Sequence, residues 1–429
     1  MSGSFCFDAV LTRRGTRSVK WDEAAADVLP LWVADMDFAT APCVQQAVMQ
    51  RAAHPCYGYT LVPEAYYEAI IRWFGERHGW RIRREEILYT IGVVPAIAAI
   101  LRAVCQIGDH VVMLSPVYNC FYSCIRNAGA TASLSSLVVT TDADGFMHYD
   151  IDWADLEARL SHERATVMLL CNPHNPVGRI WTADELRRLA ALCCQYHVLL
   201  LSDEIHCELT RPGISYVPLG AIVESNVECV KCNVECGVGK GLLYAVCTSP
   251  SKAFNIAGLQ NANIIVPDAE LRRRIDRAIN LNETCDVNPF GVEAVMAAYG
   301  QGAAWLDALR QYIWDNYDFA CQWLRRETST LGVRRETSAL GVRREASTLG
   351  VRIADMQATY LMWVDYSAIC PLPSNEVRQR LMDEARVWFC DGLAYGVEGQ
   401  HCLRINLATS RTILTQALTQ FVAWIKTNS

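Results

Sequence analysis

The central part of the chain alternates short apolar runs with segments whose apolar residues recur at helical spacing. Between about residues 85 and 290 this alternation is typical of βαβ units and of a mostly parallel sheet. The run Thr-Ala-Asp-Glu at 182–185 has the form of a capping box and precedes apolar residues at helical spacing through Leu192. The pattern predicts strands at 111–114, 166–170, 198–201, 242–247 and 263–266.

The first four predicted strands each lead directly into polar, charged or proline-rich residues. These segments lie at 115–118, 171–176, 202–204 and 248–252. In open parallel sheets, ligands bind at the carboxyl ends of the strands. The pattern therefore predicts a ligand site where these four segments meet.

The length of the chain predicts more than one domain. At 429 residues it exceeds the size at which a single hydrophobic core stops growing, so we expect two domains that share a cleft. We assign residues 46–295 to a large domain, and residues 1–45 and 296–429 to a small domain built from both termini.

Composition and charge exclude several classes of protein. The chain is 52% apolar and 20% charged, as globular proteins are, and its net charge of −7 with scattered Lys and Arg argues against a nucleic-acid partner. It shows no signal-peptide pattern and no apolar run that could span a bilayer. We therefore expect a cytoplasmic protein with no membrane partner.

Two segments contain internal repeats. Residues 325–351 are three copies of a nine-residue unit, a period too short for a solenoid, and we interpret them as an insertion that forms a helix extension or a loop. Residues 226–236 repeat Asn-Val-Glu-Cys and contain Cys229, Cys232 and Cys236. The CxxC spacing leaves zinc binding open, but no second CxxC follows, which favours a surface loop and no metal. The 19 cysteines are expected to be free thiols, because the chain has no export signal.

Lys252 is the first candidate for chemistry. It follows a predicted strand, and Ser249 and Ser251 lie beside it. A lysine in apolar, partly buried surroundings loses part of its preference for the charged form and becomes a nucleophile and base. On its neighbourhood alone, a solvated surface lysine is an open alternative.

Two polar residues at neighbouring strand ends are further candidates. Asp203 ends an apolar strand, where a buried carboxylate needs a positive partner, although a helix N-cap is the alternative. Asn172 lies in Cys-Asn-Pro-His-Asn-Pro-Val-Gly, in which two prolines fix the backbone and so the direction of the amide, and plain turn chemistry is the alternative.

An aromatic residue, a helix start and an arginine complete the set. Tyr118 can stack on a planar ring or belong to the core. Val93 and Val94 follow Gly92 at a predicted helix N-terminus, where free backbone N–H groups suit a phosphate. Arg404 offers a carboxylate a bidentate fork, or faces solvent from an edge strand.

Together these runs resemble the fold-type-I pyridoxal-phosphate enzymes, and specifically the cystathionine β-lyase or C–S β-lyase branch of the class I/II aminotransferase superfamily. The resemblance implies an α/β fold: a large domain with a mostly parallel central sheet and a smaller α/β domain. The matching segments are Leu-Trp-Val-Ala-Asp-Met-Asp-Phe at 31–38, Tyr-Gly-Tyr at 57–59, the Pro-braced run at 171–178, Ser-Asp-Glu-Ile-His at 202–206, Pro-Ser-Lys-Ala-Phe-Asn-Ile-Ala-Gly-Leu at 250–259 and Leu-Arg-Ile-Asn at 403–406.

The resemblance also implies a role for each candidate. Lys252 bonds covalently to pyridoxal 5'-phosphate and acts as the catalytic base, Asp203 pairs with the pyridine nitrogen, and Tyr118 stacks on the ring. Substrate binding is assigned to Arg404, which grips the α-carboxylate, and to Ala34 and Asn172. The remaining cofactor contacts implied are Asn172 at the ring oxygen, Val93, Val94, Ser249 and Ser251 around the phosphate, His206, and Tyr57 from the neighbouring subunit of a homodimer.

The implied reaction is α,β-elimination from a sulfur amino acid, giving pyruvate, ammonia and a thiol or sulfide. His206 lies three residues after Asp203, where many aminotransferases of the superfamily carry a tyrosine, and this favours the lyase branch. An aminotransferase is the alternative within the superfamily. An alternative of another class is a regulatory protein that binds a transcription factor.

Overall fold

The structure is a computed structural model that describes residues 5–225, 241–281, 285–329, 331 and 350–428. Its α-helices are α1 (Val19–Asp22), α2 (Pro42–Ala53), α3 (Glu64–His78), α4 (Val93–Val104), α5 (Cys120–Asn127), α6 (Trp153–Leu160), α7 (Ala183–Gln195), α8 (Leu219–Glu224), α9 (Ala269–Asn280), α10 (Pro289–Gln301), α11 (Ala303–Thr328), α12 (Ser374–Glu384) and α13 (Arg411–Thr427). Its strands are β1 (Leu29–Pro30), β2 (Ile87–Thr90), β3 (His110–Ser115), β4 (Thr131–Ser136), β5 (Val138–Thr141), β6 (Phe146–Asp150), β7 (Ala165–Cys171), β8 (Leu199–Asp203), β9 (Tyr244–Thr248), β10 (Ala262–Ile265), β11 (Arg352–Ala354), β12 (Leu361–Asp365), β13 (Val387–Trp388), β14 (Cys390–Asp391) and β15 (Cys402–Asn406).

The large sheet has seven strands in the order β2-β10-β9-β8-β7-β3-β4. The five strands from β9 to β4 are parallel, and β10 runs antiparallel to both of its neighbours. In β7, Met168 and Leu170 pack into one apolar core, whereas Val167 and Leu169 pack into the core on the opposite face. Because both faces are covered, the central strands are apolar throughout rather than alternating. The predicted α/β fold with a mostly parallel sheet is confirmed.

The predicted elements of this sheet are present with small shifts at their ends. The strand predicted at 242–247 begins two residues later, at Tyr244, and the one predicted at 263–266 begins at Ala262. The capping box at the start of α7 is formed, because Thr182 N donates to Glu185 Oε2 at 2.8 Å and Glu185 N donates to Thr182 Oγ1 at 3.3 Å.

A second sheet of six strands has the order β14-β15-β12-β11-β6-β5. The hairpin β5–β6 comes from residues 138–150, inside the range assigned to the large domain, and β6 pairs in parallel with β11. Strand β5 is exposed along its whole length, so it carries no apolar alternation by which it could be recognised. The domain boundaries at 45 and 295 stay a prediction.

The N-terminal segment is fixed by buried ion pairs. Lys20 Nζ lies 2.8 Å from Asp37 Oδ2, and Arg13 NH1 lies 2.9 Å from Asp37 Oδ1. Burial raises the pKa of the Asp37 carboxyl, but Lys20 and the Trp21 N–H outweigh it and keep that pKa below its usual value. These contacts hold residues 32–38, the segment that supplies one wall of the site described below.

The flanks of the nonapeptide repeats lie next to each other. Helix α11 includes the first four residues of the first copy and ends at Thr328, and Val351 N donates to Thr328 Oγ1 at 3.2 Å. A segment inserted into an existing connection leaves its two flanking residues close together, as Thr328 and Val351 are. Most of the repeats lie outside the described residues, as do Cys229, Cys232 and Cys236.

Several of the described cysteines lie inside the apolar cores. Cys193, Cys207 and Cys247 are free thiols buried in the cores, where cysteine acts as a small apolar side chain. Within the described ranges, no helix combines the length and the apolar content that a bilayer crossing needs.

Candidate active site

A cavity of about 210 Å³ lies at the carboxyl ends of the parallel strands. It is bounded by the ends of β7, β8 and β9, by the N-terminus of α4 and by the N-terminal segment around Ala34. Eight of the residues singled out in the sequence line it: Ala34, Val93, Val94, Tyr118, Asp203, His206, Ser251 and Lys252. The cavity therefore lies where the polar segments at the ends of the strands predicted a ligand site.

Lys252 lies in the turn after β9, and its Nζ donates to the Ala34 carbonyl oxygen at 2.8 Å. Burial lowers the pKa of the Lys252 ammonium and Arg404 lowers it further, while the carboxylates of Asp35 and Asp203 act in the opposite direction. The net shift is downward, which makes the neutral amine more accessible than on an exposed lysine. The surface-lysine alternative is therefore wrong for this residue.

Asp203 is the last residue of β8 and is 3% exposed. Burial raises the pKa of its carboxyl to about 7, although the Ile205 N–H and Lys252 pull that pKa down. Ile205 N donates to Oδ1 at 3.1 Å, and within the described part of the chain no ion pair neutralises the carboxylate. A buried carboxylate that has no ion-pair partner fits a ligand with a positively charged N–H group.

The structure separates the two asparagines of the Pro-braced loop. Asn175 lines the cavity, and its Oδ1 accepts a hydrogen bond from Arg404 NH1 at 3.2 Å. Asn172 instead donates from Nδ2 to the Val217 carbonyl oxygen at 3.4 Å, and it is absent from the cavity lining. Asn175 was not singled out in the sequence, although it occupies the same rigid loop. The ring-oxygen and substrate roles assigned to Asn172 stay predictions, and the geometry favours Asn175.

Arg404 lies in the middle of β15 and is 4% exposed, so it does not face solvent. Its NH1 donates to Asn175, its NH2 donates to the Trp32 carbonyl oxygen at 3.0 Å, and its Nε is buried with no hydrogen-bond partner among the described residues. A buried guanidinium held only by neutral acceptors is a ready partner for a carboxylate.

His206 and Tyr118 both line the cavity. Burial, together with the positive charges of Lys252 and Arg404, lowers the pKa of the His206 imidazole to about 3, so the ring is neutral at physiological pH. Its Nδ1 is buried with no partner in the described residues. Burial also raises the pKa of the Tyr118 phenol, with Cys120 contributing, so that this hydroxyl stays protonated.

The N-terminus of α4 and the serines after β9 lie at one end of the cavity. Helix α4 begins at Val93 after the N-cap Gly92, which leaves backbone N–H groups of the first turn without helical partners. Ser251 lines the cavity, whereas Ser249 lies behind it and donates from Oγ to the Asn261 carbonyl oxygen at 2.6 Å. Gln260 and Asn261 also line this end and were not singled out in the sequence.

Tyr57 lies away from the cavity of its own chain. It is 57% exposed, and its hydroxyl donates to the Ala52 carbonyl oxygen at 2.6 Å. Its role at the site of a neighbouring subunit stays a prediction.

The residues present fit pyridoxal phosphate. Asp203 offers an unpaired buried carboxylate to a pyridinium N–H, Lys252 offers an amine to an aldehyde, and the first turn of α4 offers N–H groups to a phosphate. His206 Nδ1 and Arg404 Nε are buried without a hydrogen-bond partner among the described residues, and each can bind a polar atom of a ligand.

A metal is a weaker candidate elsewhere in the described residues. His78, Cys207 and Glu208 bring ligand atoms within 4.8 Å of one another. However, Glu208 already accepts from His78 Nε2 and Trp73 Nε1, both at 2.7 Å, and pairs with Arg77 Nε at 3.3 Å. These contacts neutralise the carboxylate and account for its burial without a cation.

Comparison with known proteins gives consistent relatives along the whole chain. The chain is 34% identical to cystathionine beta-lyase PatB of Bacillus subtilis, over 97% of this chain and 99% of that protein. It also matches a PLP-bound putative aminotransferase of Clostridium difficile with a TM-score of 0.85 and 31% identity, over 98% of this chain and 100% of the other. A PLP-bound C-S lyase of Staphylococcus hominis matches with a TM-score of 0.82 and 27% identity, over 99% and 100%.

The family model that matches is "Aminotransferase class I and II", over residues 26–421. This range includes every residue that lines the cavity. The resemblance read from the motifs is thereby confirmed, and the chain belongs to the aminotransferase class I and II family.

Proposed function

We propose that this protein is a pyridoxal-phosphate-dependent C–S β-lyase that acts on cystathionine or cysteine-type substrates. The observation that carries the proposal is the cavity shared by Lys252, whose pKa is lowered, and the unpaired buried carboxylate of Asp203, with the buried Arg404 held next to it by the lining residue Asn175. The relatives named cystathionine beta-lyase and C-S lyase, which match the chain over nearly its whole length, support the choice of reaction.

When bound, pyridoxal phosphate would supply an aldehyde for the substrate amine and a ring able to accept electrons from the substrate Cα. Arg404 binds the α-carboxylate through its guanidinium and so fixes which bond at Cα is presented to the ring. Asp203 holds a negative charge at the end of β8, which keeps the pyridine nitrogen protonated. Tyr118 supplies a flat aromatic face to the ring.

Lys252 moves the proton. Its Nζ, with a lowered pKa, accepts the proton from Cα, and the thiolate then leaves from Cβ. His206 is neutral beside it, so the imidazole adds no positive charge that would depress the basicity of Lys252. The thiolate takes up a proton, and water hydrolyses the remaining three-carbon amine, so the products are pyruvate, ammonia and a thiol or sulfide.

The decisive assay measures pyruvate and thiol released from cystathionine, and pyruvate and sulfide released from cysteine, with no keto-acid acceptor present. We expect release by the wild-type protein and none by Lys252→Ala, which should also lack the yellow absorbance of the bound cofactor. Lys426→Ala, which removes a surface lysine that pairs with Glu327 at 2.8 Å, serves as the matched control and should be fully active. Turnover that depends strictly on an added keto acid would instead identify an aminotransferase.

We also propose that the protein is a homodimer in which Tyr57 completes the site of the other subunit. Tyr59 is fully exposed and Leu61 is 87% exposed beside it, an apolar segment of the kind that a second copy covers. A cytoplasmic location and a lack of nucleic-acid and membrane partners remain predictions from the sequence, which cell fractionation and a DNA-binding assay can test.

A further inference from the structure

Arg404 lies on one face of the second sheet between two cross-strand neighbours. It pairs with Trp363 on β12 and with Cys390 on β14. Residues that lie directly opposite each other on neighbouring strands project to the same face of a sheet. The three side chains therefore form one row, with the arginine in its centre.

Tyr395 covers this row. Its ring centroid lies 4.9 Å from Arg404 Cζ and 5.6 Å from the Trp363 ring, with the two rings at 84°. Its hydroxyl lies 3.3 Å from Cys390 Sγ. The side chain is 1% exposed, so contacts with three strands fix the ring against the guanidinium.

The guanidinium has no acidic partner among the described residues. Two neutral oxygens, on Asn175 and Trp32, accept its hydrogen bonds. The negative face of an aromatic ring stabilises a desolvated cation without neutralising it. Tyr395 thus supports the charge of Arg404 and leaves the anionic position to the substrate.

The backbone of Tyr395 reaches the segment that carries Tyr118. Its carbonyl oxygen accepts from Val117 N at 2.8 Å and from Tyr122 Oη at 3.1 Å. These two donors lie on either side of Tyr118 in the sequence. One residue therefore packs its ring against the carboxylate-binding guanidinium and accepts hydrogen bonds from the segment that carries Tyr118.

We propose that Tyr395 is a positioning residue for substrate binding: its ring orients the Arg404 guanidinium toward the substrate carboxylate, and its carbonyl oxygen sets the position of the Tyr118 segment relative to it. This inference rests on the proposed function, because Arg404 is its carboxylate-binding group. It assigns specificity for α-carboxylates to a residue that need not touch the substrate.

The test compares Tyr395→Leu, which removes the aromatic face, with Tyr395→Phe, which keeps it. In Tyr395→Leu we expect KM for cystathionine, and the inhibition constant of propionate as a competing carboxylate, to rise about 30-fold, the size of a desolvated cation–π contact. We expect kcat to change less than about threefold, and Tyr395→Phe to keep both constants within about threefold. Phe389→Leu, which truncates another buried aromatic of this region, is the control for general loss of packing and should leave both constants unchanged.

A double-mutant cycle separates positioning from a purely structural role. If Tyr395 acts through Arg404, Tyr395→Leu has no further effect on KM in the Arg404→Gln background, whereas independent effects add. Should Tyr395→Leu not fold, Tyr395→Met also lacks the aromatic face, and its flexible unbranched side chain adapts better to the vacated space, so it answers the same question. Unchanged propionate binding in an active, folded Tyr395→Leu or Tyr395→Met protein overturns the inference alone. A wild-type protein without β-lyase activity overturns the proposed function instead.

Discussion

Asp203 and Lys252 face the same cavity from the ends of two neighbouring parallel strands, β8 and β9, in which Asp203 pairs with Cys247. The acid is buried with a raised pKa, and the base is half-buried with a lowered pKa. Both shifts have the same main cause, which is that burial penalises charge. A bound ligand that carries complementary charges would therefore lower the free-energy penalty that burial places on both groups.

Asp203→Asn should reduce pyruvate formation by at least about 100-fold, because an amide cannot keep a pyridine nitrogen protonated. The side chain keeps its size, so folding should be preserved. Steady-state kinetics and the absorbance spectrum of the reconstituted protein provide the measurement. Glu224→Gln, at an acid whose pKa is also raised but which lies outside the cavity lining, is the control and should remain active. Equal activity of the two variants would contradict the role of Asp203.

The Asp203 carboxyl should stabilise the cofactor-free protein less as pH rises from about 4 to about 8. The pKa of the Asp203 carboxyl in the folded state, about 7, exceeds the value of about 3.9 in an unfolded chain. Its contribution to stability is therefore fully present below about pH 4 and is lost as pH rises through about 7.

Urea denaturation of the cofactor-free protein at pH 5 and pH 8 measures this effect. Glu204, whose pKa burial also raises to about 7, contributes in the same direction. The comparison of wild type with Asp203→Asn isolates the share of Asp203, since the variant should lose less stability between the two pH values. An identical pH dependence of the two proteins would show that Asp203 does not titrate in this range.

Asn175→Ala should weaken substrate binding more than Asn172→Ala. Asn175 Oδ1 orients Arg404 and faces the cavity, whereas the Asn172 amide is turned toward Val217. We expect KM to rise about tenfold for Asn175→Ala, as for loss of a hydrogen bond to a charged group. For Asn172→Ala we expect chiefly a loss of stability of about 1–3 kcal/mol in urea. The reverse ranking of KM would restore the original assignment to Asn172.

Chains that carry Lys252→Ala and chains that carry Tyr57→Ala should restore activity when mixed. If Tyr57 acts in the other subunit's site, each mixed dimer has one intact site, and random exchange returns about a quarter of wild-type activity. The measurement is pyruvate formation after co-refolding of the two inactive variants. Co-refolding two batches of Lys252→Ala is the control. No gain in the mixture would indicate that Tyr57 does not complete a neighbouring site.

Deletion of one nine-residue copy, residues 334–342, should leave both kinetics and stability nearly unchanged. The flanks meet at Thr328 and Val351, and removing nine residues from a flexible connection of this length would alter its closure free energy by only about 0.5 kcal/mol. Thr328→Val, which removes the hydroxyl that joins the flanks, is the contrasting variant and should cost about 1 kcal/mol in urea denaturation. A loss of activity on deletion would place the repeats at the site or at a subunit interface.

The central sheet and the position of the cavity were predictable from local patterns. Strands β7 and β8 are continuous apolar runs, and the capping box at Thr182 marks the start of α7. The polar residues Asp203 and Lys252 follow such runs directly, so their place at the carboxyl ends of strands needed no knowledge of packing. The hairpin β5–β6 was missed, because β5 is exposed on both faces and has no alternation to detect.

The sequence by itself determined the order of the elements, the strand ends that carry chemistry and the family, because periodicity, caps and contiguous motifs are local properties of a chain. Only the tertiary structure decided that Asn175 rather than Asn172 faces the cavity, that the Ala34 carbonyl receives Lys252 Nζ, and that Tyr395 covers Arg404. The contact between Ala34 and Lys252 joins residues 218 positions apart. The direction of a side chain at such a contact depends on how sheets and segments pack against each other, and a local pattern does not encode it.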